Sequence, residues 1–111
     1  MFEFKEITLF DLQPKNLNAC VHVLQQFCAL DELTLFAKDD VIGAVCSIHS
    51  TIGRTVRNEW GLWYGSELKT YFEDLGVYHA DDMSSIIFSA LWHKLNNKEY
   101  DIDADIKHYI A

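Results

Sequence analysis

The chain has 111 residues, half of them hydrophobic and 14% aromatic, with nine basic against seventeen acidic side chains and a net charge of −8. That length suits one domain burying roughly two-thirds of its unfolded surface, and the apolar content excludes intrinsic disorder. The acidity disfavours direct contact with nucleic acid or an anionic membrane, because phosphate binding needs Lys and Arg to displace counterions. Its natural complement is a basic protein surface, since opposite fields speed encounter and favour correct register.

In residues 1–12, Phe2, Phe4, Ile7, Leu9 and Phe10 alternate loosely with charges. This pattern suits a short strand or an apolar arm laid across the domain. It lacks the basic start and unbroken apolar run of a signal peptide, and no apolar stretch is long enough to span a bilayer. Cys20, Cys28 and Cys46 are odd in number and show no CxxC spacing. They read as small buried hydrophobes in a cytoplasmic protein with reduced thiols.

Gln13-Pro14 opens the first predicted helix, with proline tolerated in the first turn. Leu17, Cys20, Val21, Leu24, Phe27 and Cys28 give it a core face to about Leu30, and His22 reads as a core or boundary histidine. Asp31 or Thr34 caps a short turn through Leu35 and Phe36. Asp39 and Asp40 then start one long predicted helix, with Val41, Val45, Ile48, Ile52 and Val56 as its stripe, broadened by Ile42 and His49. Gly43 and Gly53 inside it suggest close approach of a neighbouring helix, and Arg54 and Arg57 suit its C-terminal dipole.

Next comes an aromatic loop, Trp60-Gly61-Leu62-Trp63-Tyr64-Gly65. Ser66 caps a helix carrying Leu68, Tyr71, Phe72 and Leu75, ended by Gly76 with Val77 folding back in a Schellman motif. Asp81 or Asp82 caps the following helix, whose buried face holds Met83, Ile86, Ile87, Ala90, Leu91 and Leu95, broadened by Phe88 and Trp92. Asn96-Asn97 ends it. A last short helix buries Ile102, Ile106, Tyr109 and Ile110. The expected fold is a single compact all-α domain, residues 1–111, of about five helices with the strand-or-arm segment at its start.

Few constellations bear chemistry. Asp101, Asp103 and Asp105 imitate an EF-hand start, but Ile106 replaces the glycine and the bidentate glutamate is missing. His79, Asp81 and Asp82, with Glu59, could converge on a metal. The competing reading has one aspartate capping the helix and the other pairing with Arg54 or Arg57 as a loop clamp. No glycine-flanked serine elbow, phosphate-cradling loop or activated cysteine is present. Neither catalytic residues nor a cofactor are expected.

Asn58-Glu59-Trp60-Gly61-Leu62-Trp63, Gly65-Ser66, Tyr71-Phe72, Gly76 and His79-x-Asp81-Asp82-Met83-Ser84 resemble the core of a family of small bacterial proteins with no reaction attached. In its general character the chain also resembles an immunity protein of a toxin system such as contact-dependent growth inhibition. That resemblance implies binding to a cognate toxin domain, often a basic nuclease, and occlusion of its active site. Carboxylates would occupy sites the toxin uses for substrate phosphates. The expected contacts are Glu73, Asp74, Asp101, Asp103 and Asp105, with Trp63 and Tyr64 as aromatic anchors on a monomer or weak dimer.

Overall fold

The computed structural model describes residues 12–110, so the strand-or-arm reading of the first eleven residues lies outside it. Seven helices occur among the described residues: α1 (Leu17–Phe27), α2 (Leu30–Lys38), α3 (Val41–Ile48), α4 (Ile52–Glu59), α5 (Glu67–Asp74), α6 (Ala80–Leu95) and α7 (Ile102–Ile110). The all-α expectation holds for these residues, but the count of about five does not. Two local features account for the difference.

First, the turn expected around Leu35 is a nine-residue helix, α2, without a side-chain cap; Asp31 and Glu32 in its first turn suit the dipole. Second, the long helix expected after Asp40 breaks at residues 49–51. Ile48 carbonyl there accepts from both the N–H and the hydroxyl of Thr51, at 3.1 and 3.2 Å. Thr51 has φ −114° and ψ −98°, outside helical geometry.

Each remaining helix has a local reason for its ends. Asn16, and not the Gln13-Pro14 pair, caps α1 by accepting the Ala19 N–H at 2.9 Å. Asp40 caps α3 through the Gly43 N–H at 2.7 Å, and Ser66 caps α5 through the Lys69 N–H at 3.1 Å. The Schellman motif closes α5 as expected: Val77 N–H donates to Phe72 carbonyl and Gly76 N–H to Glu73 carbonyl, both at 2.9 Å. A second such motif closes α6. Its left-handed residue is Asn97 (φ 55°), and Lys98 N–H reaches His93 carbonyl at 2.9 Å.

The sixteen residues of α6 form the axle of the fold, and each of the other six helices packs against it. Residues 83, 84 and 86–92 of it are all buried. A helix apolar around most of its circumference has to be enclosed by neighbours, since one flat contact would leave a face in water. Leu24, Val56, Leu68 and Phe72 supply the facing surfaces from α1, α4 and α5. Two polar bonds set the height of α2 and α3 along it. Trp92 Nε1 donates to Asp39 carbonyl at 3.0 Å, and Asn96 Nδ2 donates to Ala37 carbonyl at 3.2 Å.

Cysteine and histidine placement departs from expectation at two positions. Cys20 is buried and Cys28 half-buried, but Cys46 is exposed, because α3 turns Ala44 and Val45 inward instead. His22 is exposed on α1 and meets Gln26 at 3.0 Å. Burial pushes the Cys20 thiol well up, and burial followed by the charge of Glu32 pushes Cys28 up as well. Since the thiolate is the nucleophile, both should react slowly at neutral pH. Titration of the folded protein with a thiol reagent is expected to show one fast equivalent, lost in Cys46→Ser, and three equivalents after denaturation. Three equally fast thiols in the folded protein would contradict this packing.

Candidate functional site

The densest polar cluster lies where the α3–α4 break meets the start of α6, and its centre is Arg57. This side chain, expected to serve a helix dipole, is only 5% exposed. Its Nη2 donates to His49 carbonyl at 2.9 Å, and Nη1 donates to Ser84 Oγ at 2.9 Å. Nη1 also makes a long contact of 3.5 Å with His49 Nδ1. Guanidinium groups only donate, so in that contact His49 Nδ1 can serve only as acceptor; its Nε2 lies 3.7 Å from Asp81 Oδ1. The fourth contact is an ion pair: Nε lies 3.3 Å from Asp81 Oδ1, at an angle that makes no hydrogen bond.

Gly53 makes this arrangement possible. A Cβ added there would come within 3.1 Å of Arg57 Nη1 and 3.1 Å of Ile48 carbonyl. The glycine therefore admits the arginine beside the break, and close approach of a neighbouring helix is not its use. Gly43 is similar in kind, since an added Cβ would meet the carboxylate of Asp39 at 2.9 Å.

The clamp reading of the aspartates is half right. Asp81 does pair with Arg57, but neither aspartate caps α6. His79 does: Asp81 N–H donates to His79 Nδ1 at 3.1 Å. An imidazole acceptor at the helix start is not among the usual capping signals, which is why the sequence pointed to Asp instead. His79 in turn meets the edge of Trp63, with ring centroids 5.8 Å apart, so the aromatic loop and the α6 cap brace each other.

Among the described residues, no group of three His, Cys, Asp or Glu side chains is placed to hold a metal ion. Asp81 draws in His49 and His79, at 3.7 and 3.8 Å, while Glu59 and Asp82 take no part in that cluster. The alternative metal set of His79, Asp81, Asp82 and Glu59 is thus not assembled among the described residues.

The aromatic loop divides its side chains between two tasks. Trp60 and Leu62 are fully buried, whereas Trp63 is 46% and Tyr64 92% exposed. Gly61 sets the turn. It sits at φ +67°, and a Cβ there would stand 2.8 Å from Gly65 carbonyl, so no other residue fits without strain.

The five acids expected to meet a partner have unequal freedom. Glu73 is paired with Lys69 at 2.9 Å, and Asp105 accepts from Tyr100 hydroxyl at 2.7 Å. Asp101 accepts from the N–H groups of Asp103 and Ala104, at 3.1 and 3.3 Å, and so starts α7. Asp74 and Asp103 are exposed carboxylates without such ties among the described residues.

Two surface features were not legible in the sequence. One is an apolar groove of about 320 Å³ between α2, the α3–α4 break and α6, lined by Leu33, Leu35, Phe36 and Phe88 together with Glu32 and Asp39. The other is a polar cleft of about 430 Å³ beside Arg57. Both depend on where helices that are distant in sequence come to lie. Among the described residues no helix is long and apolar enough to cross a membrane.

The family model for a domain of unknown function (DUF6794) matches residues 13–95, most of the chain. The chain belongs to that family. No curated protein matches it, and no solved structure does. The DUF6794 span contains α1–α6, the Arg57 cluster and the aromatic loop, and it closes with the last residue of α6. Helix α7, with Asp103 and Asp105, lies beyond it.

The Arg57 cluster generates two expectations. Gly53→Ala would stabilise by up to about 1 kcal/mol if helix propensity decided, but crowding of a pinned guanidinium should make it destabilising. Arg57→Lys cannot reproduce a planar fork over His49 carbonyl and Ser84, and should cost about 1–3 kcal/mol by leaving buried acceptors unsatisfied. Urea unfolding of both variants checks this, and a Gly53→Ala variant more stable than wild type would refute the packing argument.

Proposed function

We propose that this protein is a non-catalytic inhibitor of the immunity type, acting in the cytoplasm. As a monomer or weak dimer it binds a basic toxin domain of the nuclease class and covers its active site. The observation that carries this reading is large apolar side chains standing exposed in a strongly acidic protein. Leu30 is 77%, Leu35 69% and Tyr64 92% exposed, in a chain of net charge −8.

Interfaces concentrate their energy in a few aromatic or apolar anchors, while charge steers the encounter and sets register. Tyr64 and Trp63 suit the anchor role, because Gly61 and the Trp63–His79 contact hold their loop in place before binding. Asp74 and Asp103 are the acids best able to meet basic side chains, since their carboxylates are not already committed. Glu73, Asp101 and Asp105 would contribute charge while keeping their structural bonds. The groove along α2 adds Glu32 and Asp39 beside an apolar floor, a combination suited to an apolar side chain flanked by Lys or Arg.

A pull-down of the tagged protein at low salt, from its source cell or with the product of the adjacent gene, tests the proposal. One basic partner should be recovered, and its toxic activity should fall on binding. Association should slow markedly between low and high ionic strength, and Tyr64→Ala should weaken the complex about tenfold or more. A complex indifferent to salt would remove the electrostatic mechanism. Failure to recover any basic partner would remove the inhibitor reading.

A further inference from the structure

The cleft beside Arg57 has a composition unlike the rest of this surface. It is lined by His49, Ser50, Arg54, Arg57, Asn58 and Trp63, with no carboxylate among them. These include both arginines of a chain that carries seventeen acids. Arg54 is exposed, and among the described residues it forms no ion pair or hydrogen bond through its side chain. The side chains of Ser50 and Asn58 and the indole N–H of Trp63 are likewise uncommitted there. The one ring acceptor in the lining, His49 Nδ1, already faces Arg57. What the cleft offers is therefore an uncommitted guanidinium, Arg54, with the Ser50 hydroxyl, the Asn58 amide and the Trp63 indole N–H as further donors.

We propose that this cleft binds a small ligand bearing a phosphate group on a flat ring, of the nucleoside monophosphate class. Arg54 presents a planar fork suited to two phosphate oxygens. Asn58 lies four residues further along α4, on the same side of the helix, and can donate to the same group. Ser50 supplies a hydroxyl from the α3–α4 break. Trp63 is half-exposed in the cleft lining and its ring is braced by the perpendicular His79 ring, which suits it to stack on a base.

The site is preformed because Arg57 ties the break to α6 through His49 carbonyl and Ser84. Its volume of about 430 Å³ is that of a small-molecule pocket. Asp81 pairs with Arg57 and offsets its charge, which leaves Arg54 as the cation available to the ligand.

The test is titration of the full chain with AMP, adenosine and inorganic phosphate, followed by amide and indole NMR shifts and tryptophan fluorescence. Trp63 is the half-exposed tryptophan among Trp60, Trp63 and Trp92, and loss of the fluorescence response in Trp63→Leu assigns it to that ring. AMP is expected to shift the Trp63 indole and the amides of Ser50 and Asn58. It should bind about tenfold more tightly than phosphate, from stacking, and about tenfold more tightly than adenosine, from the phosphate. Arg54→Gln changes an exposed side chain and should keep the fold, as judged by circular dichroism, while weakening AMP about tenfold. Trp63→Leu should bring AMP down to the level of phosphate. Absence of a saturable AMP response overturns the proposal, as does AMP binding no tighter than phosphate or adenosine, or unchanged by Arg54→Gln. Arg54→Gln leaves Tyr64 and the acids in place, so this test and that of toxin inhibition fail independently.

Discussion

Enclosure of α6 is the constraint on which the rest of this structure depends. A helix buried along most of its length and around most of its circumference contributes roughly 1.5–3 kcal/mol for each large apolar side chain removed from water. That gain requires neighbours on every side. One or two long helices cannot wrap a single axis, whereas six short ones can. The breaks in the chain serve this geometry: the turn at 49–51 lets α3 and α4 lie separately against α6, and the Asn97 and Gly76 motifs stop helices sharply enough for the chain to return.

The break at residues 49–51 lies at the surface, with Ser50 and Thr51 exposed, and the buried Arg57 ties it down by reaching back to His49 carbonyl and across to Ser84 on α6. A buried guanidinium is weak evidence for net stability, since desolvation offsets much of what its bonds contribute. What it does achieve is a fixed relation between the break and the α6 start. That relation holds the polar cleft open on one side, while the Trp63–His79 contact holds the aromatic loop on the other.

The surface divides accordingly. Carboxylates dominate overall, yet the cleft walls carry none, and the two arginines of the chain gather there. Exposed apolar side chains occur on α2, at Ile42 of α3, at Tyr78 and at the tip of the aromatic loop, whose Trp60 and Leu62 are buried. Rigid support of exposed aromatic area lowers the ordering cost of binding, and this is the physical link between the core and the proposed anchors.

Much of the fold was legible in the residues themselves. The α5 boundaries from Ser66 to Gly76 and most of the buried faces of α1 and α6 follow from local signals: a cap, a left-handed glycine and three- and four-residue apolar spacing. Phe27, expected on the α1 core face, is exposed instead, and the spacing leaves open which aspartate pairs with which arginine. Those signals act within a few residues and need no knowledge of the rest of the chain. The break at 49–51, the capping role of His79, the exposure of Cys46 and the two surface cavities did not follow from such signals. Each is decided by long-range packing: which side of α3 faces α6, where Arg57 can reach once Gly53 gives it room, and which helices leave a gap when six of them enclose a seventh. Local chemistry determined where most of the helices would form; long-range packing around α6 decided α2, the break between α3 and α4, and which side chains would be left at the surface to act.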